Sequence, residues 1–485
     1  MKHLIRFKRT YFALTLSLTV LLIWQCAVNP VTGKRELMLV SEQQEIAMGA
    51  EYDPEVVSTY GMYNDPKLQT YVEKMGNEMA AVSHRPDLEF HFRVLDSPVI
   101  NAFAVPGGYV YITRGIMAYL NSEAEFAGVL GHEIGHVTAR HSAKQMSKQQ
   151  IAQLGLGLGM VFSETFAQFA GLASSGLQLA FLKMGRDAER ESDGLGIEYS
   201  TKIGYDAMEM SNFFVVLERM NPGGGAMPSW MSTHPLSSER IQNIQSGASA
   251  YFAEHNINES NLKINRDAWL NLIDGIIFGD DPKHGYVEAG VFYHPDMKFY
   301  FPVPANWKVI NTPSQVQMGS PDDKAAMVFT LSKEATAAAA ASAFGSQEGA
   351  TVLENSPTRV SGFQAVKLLT DIASQQGALR VQSYFIEFDG KVVVFHGYST
   401  QADFPAYQAA MVGSMGQFNR LTDAAKINVL PERVKVMTVK RTASFENVLL
   451  DMKVPQERHE EHSLLNNLDL STQVPFNTRI KIITK

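Results

Sequence analysis

Apolar residues recur three to four positions apart at Phe126, Leu130, Ile134 and Val137, which predicts an amphipathic helix. Ser122 and Glu125 have the spacing of a capping box at its start, and no proline interrupts the run from Glu123. His132 and His136 sit off the apolar stripe, beside Gly131 and Gly135. Glycine is a poor helix former, so the pair suggests close approach by another helix or by a substrate. Upstream, Leu88, Phe90, Phe92 and Val94 alternate with Glu89, His91 and Arg93, the period of a half-buried strand. Asn101, Ala102, Phe103 and Ala104 are expected as an edge beside it. Helices are expected near 41–52 and 65–82. Residues 151–182, rich in Gly, Ala, Leu and Phe, read as a helical flap beside the cleft or as two ordinary buried helices. Further on, 384–388 and 391–395 flank Asp389-Gly390 as a two-residue hairpin, and 299–307 reads as a strand running into a turn. Alanine-rich 335–343 is expected as a surface helix or a flexible insertion.

The 485 residues are enough for two or three domains. The 45% hydrophobic share is ordinary for a globular chain. A net charge of -8 and a pI near 5.9 argue against nucleic-acid partners. The composition turns β-rich after 279–285, dividing a first domain over 29–279 from a second over 286–425, with a last module over 432–485. At the start, Lys2, Arg6, Lys8 and Arg9 precede an apolar run over 11–24. That run falls short of the ~20 residues of a membrane span and suits a signal-peptide core. Cys26, the one cysteine, follows directly, so no internal disulfide can form and core packing must carry stability.

His132-Glu133-Ile134-Gly135-His136 carries the chemistry. On a helix, positions four apart share a face, so both imidazoles can grip one metal ion while Glu133 handles a proton beside it. The alternative is a buried helix with two satisfied histidines. A third ligand is available downstream, where Glu189 and Asp193 are again four apart. Glu189 would complete a His/His/Glu set, and Asp193 could orient an imidazole. Alternatively, Glu189, Glu191 and Asp193 form a solvated acidic face salted by Arg186 and Arg190. His141, five residues after His136, is off the metal face and is read as local packing.

At this point the chain resembles the HtpX, CAAX prenyl protease and BepA-type family of zinc metallopeptidases. The likeness lies in 101–113 as the active-site edge strand and its neighbour, in 125–136 as the metal helix and in 189–193 as the third-ligand helix. A fourth match is Thr233-His234-Pro235-Leu236, with Arg240 six residues after the histidine. The resemblance implies an α+β fold, a mainly helical zincin-type domain with a small antiparallel sheet. It implies one Zn2+ per chain on His132, His136 and Glu189, and Glu133 as general base. His234 and Arg240 are implied as oxyanion donors, with His234 alternatively an autoinhibitory ligand. An unfolded or misassembled polypeptide would add to the edge strand by main-chain hydrogen bonds.

Cys26 resembles a lipoprotein acceptor, although Ile23, Trp24 and Gln25 are bulkier than that motif prefers; a plain secretory signal or an uncleaved anchor is the alternative. Ala27 after it would, by lipoprotein sorting, imply the periplasmic side of the outer membrane. Residues 286–425 resemble the PsbP/Mog-type α+β sheet. Residues 432–485 are similar to a degenerate βααβ LysM module, whose relatives bind peptidoglycan. Thr442-Ala443 stands where the usual Gly-Asp belongs, which weakens the case for glycan binding. The reading is therefore an exported zinc metalloendopeptidase of the bacterial envelope. The alternative is an envelope lipoprotein whose protease site is held shut and which acts as a chaperone-like or scaffold factor.

Overall fold

The computed structural model describes residues 26–156, 184–221, 229–234, 239–373 and 378–485. The signal segment 1–25, most of the expected flap and Pro235-Leu236 lie outside the described residues. The fold is mixed α+β. A short hairpin pairs Cys26–Val28 with Arg35–Leu37. Helix α1 (Glu42–Tyr60) opens on a reciprocal capping box between Ser41 and Gln44 and runs on through Pro54, past the expected end. Helix α2 (Pro66–Ala81) starts where Asp65 accepts from the Leu68 amide.

Strands β1 (His91–Leu95), β2 (Ala102–Val105) and β3 (Tyr109–Thr113) form one small sheet. Central β3 is parallel to β1 and antiparallel to β2. The edge strand therefore lies beside β3 rather than beside β1. Asn101, Ala102, Phe103 and Ala104 are all buried. Phe103 packs against Tyr60 of α1 and stacks on Tyr111 at 4.9 Å.

Helix α3 (Glu123–Thr138) is the predicted metal helix, and every residue of it is buried. Ser122 accepts from the Glu125 amide at 3.0 Å as expected. The return arm differs: the Glu125 carboxylate accepts from Asn121 N–H at 2.7 Å. After α3, Arg140 turns left-handed, with φ 55°. The turn is held by Arg140 Nε on both Glu45 oxygens, at 3.0 and 3.1 Å. Helix α4 (His141–Leu156) then starts in a new direction.

Helix α5 (Arg186–Lys202) packs along α3 through glycine. A Cβ on Gly131 would stand 3.1 Å from Gly196 Cα, and one on Gly196 would meet the His132 amide nitrogen at 3.1 Å. The close approach expected at the glycines is thus that of α5. Helices α6 (Met210–Met220), α7 (Ser229–Thr233) and α8 (Arg240–Glu254) complete the helical layer.

Beyond the short strand β4 (Ile277–Phe278), a seven-stranded antiparallel sheet takes over. Its strands are β5 (Lys308–Thr312), β6 (Gln315–Gly319), β7 (Ala325–Leu331), β8 (Ala350–Val360), β9 (Phe363–Ile372), β10 (Leu379–Phe388) and β11 (Lys391–Thr400), in the order β5-β6-β7-β11-β10-β9-β8. The β10–β11 turn is the predicted Asp389-Gly390 pair, with φ 48° and 74°, both signs a two-residue primed turn needs.

The alanine-rich segment is a helix with one face exposed at Ala338, Ser342 and Ala343 and the other packed down. As α9 (Ala337–Gly345) it lays Ala337, Ala340, Ala341 and Phe344 on the sheet. A helix rich in small residues can lie close to strands. Helix α10 (Phe404–Met415) covers the opposite face with Phe404, Met411 and Met415.

The last residues return to the first core. Strand β12 (Glu432–Thr438) pairs with β4 and with the terminal strand β13 (Arg479–Thr484). Val434, Leu465 and Ile483 join the hydrophobic cluster that holds Phe126, Leu130 and Ile134 of α3. Lys481 is buried and donates to the carbonyls of Ala118 and Leu120 at 2.7 and 2.9 Å, just before α3.

Candidate metal centre

Four side chains from three places in the chain converge. His132 and His136 project from α3 with their Nε2 atoms 3.0 Å apart. Glu189, on the first turn of α5, brings one oxygen to 3.7 Å from His132 Nε2 and the other to 3.6 Å from His136 Nε2. His234 closes the group with Nδ1 3.3 Å from His132 Nε2 and 3.1 Å from Glu189. One donor atom from each lies within 4.8 Å of the rest, and all four residues are buried. His234 is placed by α7: its amide donates to Trp230 O at 2.8 Å and its ring stacks on the Trp230 indole at 4.5 Å. The Trp230 amide in turn donates to Ile100 O, at the start of the edge strand.

Around the donors stands a charged frame. Asp193 Oδ1 lies 3.0 Å from His132 Nδ1. Arg240 grips Asp193 with Nε at 2.8 Å and Nη2 at 2.7 Å, and its Nη1 lies 2.9 Å from Glu189. The guanidinium is also sandwiched against the rings of Phe214 and Trp230, 4.4 and 5.0 Å from their centroids. Glu189 and Asp193 are thus buried, while Arg186, Asp187 and Arg190 of the same helix are exposed. The solvated acidic face is not what forms. In this arrangement Arg240 is committed to two carboxylates.

Electrostatics favour a cation. Burial lowers the pKa of His132 and takes His136 well below its ordinary value, the neighbouring imidazoles adding to the effect. Burial alone would raise Glu189 and Asp193, but His234, His132 and Arg240 outweigh it at Glu189, and Arg240 and His132 at Asp193, holding both below the ordinary carboxylate range. Neutral imidazoles beside an ionised carboxylate are what a metal ion requires of its ligands. His234 is raised instead: burial pulls it down, and Glu189 and Glu133 more than offset that.

Glu133 stands beside the cluster. Burial lifts its carboxyl to about 7 against the pull of His234, whose Nε2 lies 3.7 Å away. Both of its oxygens are buried, and among the described residues neither is closed by a well-formed hydrogen bond, the His234 ring and the Trp230 indole being the polar groups beside them. A buried carboxylate without partners is costly, unless a cation and a water complete it. Two or three imidazoles and a carboxylate with an acid-base group alongside fit zinc.

The run His132-Glu133-x-x-His136 on one helix, Glu189 and Asp193 on the next and His234 over both now stand as one constellation, and the matching family model covers the same stretch, residues 66–248. The model is that of peptidase family M48. The chain is similar to the beta-barrel assembly-enhancing protease of Yersinia pestis, 32% identical over 228 residues, which are 45% of this chain and 47% of that protein. It is similar also to the mitochondrial metalloendopeptidase OMA1 of Schizosaccharomyces pombe, 30% identical over 223 residues, 44% of this chain and 64% of that one. The chain spans about half the length of the curated relatives it matches. Among solved structures, the cyanobacterial PsbP of Synechocystis aligns over 28% of this chain and 94% of its own, with 11% identity and a TM-score of 0.24. A likeness that low carries no weight.

His141 stays outside the donor cluster and packs locally, through polar contacts: its Nδ1 lies 2.9 Å from His136 Nδ1, and its Nε2 lies 3.1 Å from Glu191. The left-handed Arg140 breaks the period and folds His141 back.

Proposed function

We propose that the chain is an exported zinc metalloendopeptidase of the bacterial cell envelope that cleaves misfolded or unassembled proteins. One observation carries this reading: the buried four-donor cluster over residues 132–234 with the buried Glu133 carboxylate beside it. A bound zinc would polarise the scissile carbonyl and acidify a water.

The remaining chemistry belongs to the chain. His132, His136 and Glu189 hold the ion. Asp193 keeps His132 in its ligating orientation, and Arg240 pins Asp193 and Glu189. Glu133 takes the proton of the attacking water and passes it to the departing amide nitrogen. His234, displaced from the donor cluster, could serve the developing oxyanion. Among the described residues strand β2 has a partner on one side only, so residues 101–104 could pair with a substrate through main-chain groups, their side chains being already buried.

A second reading has its own support. His234 Nδ1 sits among the donor atoms, as a ligand closing the site would. The protein would then act as a chaperone-like or scaffold factor until that ring moves. We further propose the division into a peptidase domain over 29–279, a PsbP/Mog-like unit over 286–425 and a LysM-like unit over 432–485, with peptidoglycan as a doubtful ligand of the last. Lipidation at Cys26 would anchor the chain at the outer membrane; among the described residues no helix is long and apolar enough to cross a membrane.

The test is casein cleavage with and without chelator, beside Glu133→Gln. Loss of cleavage by about 10²–10⁴-fold in Glu133→Gln, with zinc retained, is expected; cleavage at the wild-type rate would defeat the assignment. Label retained by Cys26→Ser in fatty-acid labelling would defeat the anchor.

A further inference from the structure

We propose that His141 is the positioning residue of His136. Together with Glu191 it forms a relay that keeps His136 in the one tautomer able to bind a metal. The inference rests on the zinc-site reading above and names residues that reading does not use.

His136 turns Nε2 toward the cluster, 3.0 Å from His132 Nε2, and Nδ1 toward His141. Two ring nitrogens 2.9 Å apart must share a single proton, since two N–H groups or two lone pairs would repel. Ring-nitrogen roles follow from their partners. For Nε2 to present a lone pair to the ion, a neutral His136 must carry its proton on Nδ1 and donate it to His141 Nδ1. His141 must then hold its own proton on Nε2. There it faces Glu191 Oε2 at 3.1 Å, an ionised carboxylate that only accepts. The opposite arrangement puts the lone pair of His141 Nε2 against the carboxylate and a proton on His136 Nε2, where it blocks ligation. Glu191 therefore selects, through His141, the binding form of His136.

The geometry also explains why a relay is needed. At 100° per residue, Glu191 lies about 200° round α5 from Glu189 and faces away from the ion. Asp193 returns to the metal side and reaches His132 Nδ1 directly at 3.0 Å. His141, turned back by the left-handed Arg140, spans the gap to His136. Ser192 Oγ, 3.3 Å from His141 Nδ1, can donate to the same lone pair. One helix thus supplies a ligand and the orienting carboxylates for both histidines.

The test uses the full chain: zinc affinity by chelator competition, and the visible spectrum of the cobalt(II)-loaded protein. His141→Leu should weaken zinc binding about 10–100-fold and shift the cobalt bands. His141→Gln, whose amide oxygen can accept from His136 Nδ1–H, should recover most of the affinity. Glu191→Leu, at a partly exposed position, should weaken binding about tenfold, with urea unfolding of the metal-free protein reporting any loss of folding separately. The proposal is overturned if His141→Leu keeps wild-type affinity and spectrum, if His141→Gln is no better than His141→Leu, or if Glu191→Leu binds as tightly as wild type. A wild-type chain that holds no zinc would instead overturn the metal-site reading, and the relay with it.

Discussion

Replacing Arg240 by methionine probes the frame that carries the metal site. The guanidinium is buried and makes three close contacts to carboxylates: two to Asp193 at 2.7 and 2.8 Å, and one to Glu189 at 2.9 Å. Methionine keeps the apolar bulk against Phe214 and Trp230, so the change removes charge rather than volume. Breaking a buried ion pair from one side costs about 3–5 kcal/mol, because the other charge stays buried. Loss of the two ring contacts adds about 0.5–2 kcal/mol. Metal-free Arg240→Met should therefore unfold at markedly lower urea, followed by the fluorescence of Trp230 and Trp269, both fully buried in the domain. A bound divalent cation supplies part of the missing positive charge, so the deficit should shrink when zinc is added. Adding Asp193→Asn should restore part of the loss, since the uncompensated carboxylate is then gone. A metal-free Arg240→Met protein within about 1 kcal/mol of wild type, well under the cost of a broken buried pair, would refute the reasoning.

Three further outcomes are expected. Glu189→Ala should lose zinc from the purified protein, read by metal analysis; unchanged stoichiometry would remove Glu189 from the site. Asp96 is held below the ordinary carboxylate range: burial would raise it, but His284, Arg114 and Lys283 outweigh that. Its stabilisation is present above the ordinary value of ~3.9 and is lost as pH falls toward the folded value. Asp96→Asn should thus cost about 3–5 kcal/mol at neutral pH and less in acid, checked by urea unfolding across pH; a gap that widens in acid would be the wrong sign. Lys481→Met orphans the carbonyl of Ala118, whereas Leu120 O keeps the Trp269 indole N–H at 2.9 Å. It should destabilise the region the M48 model matches by about 1–3 kcal/mol, although position 481 lies far outside residues 66–248; an unshifted Trp269 transition would contradict the shared core.

Local pattern alone made much of this protein legible. The apolar stripe, the serine cap and the 132/136 spacing announced a helix with two histidines on one face, and the 189/193 spacing a second helix with a carboxylate to match. Asp389-Gly390 announced its turn because few other pairs tolerate two positive φ angles. These features depend on residues within a turn or two of each other. What the pattern could not carry was the meeting of distant segments. His141 reads as packing, and its contact with His136 Nδ1 is legible only once the left-handed Arg140, held by Glu45 some 95 residues earlier in the chain, is seen. Alanine-rich 335–343 shows no apolar stripe of its own, and only the seven-stranded sheet beside it decides that Ala337, Ala340, Ala341 and Phe344 are the buried face. Lys481 is one lysine among many until burial against Ala118, 363 positions away, gives it two carbonyls to satisfy. Periodicity specifies which face of an element is apolar; only the tertiary fold decides what that face meets, and here that decides which tautomer and which charge each histidine and carboxylate must hold.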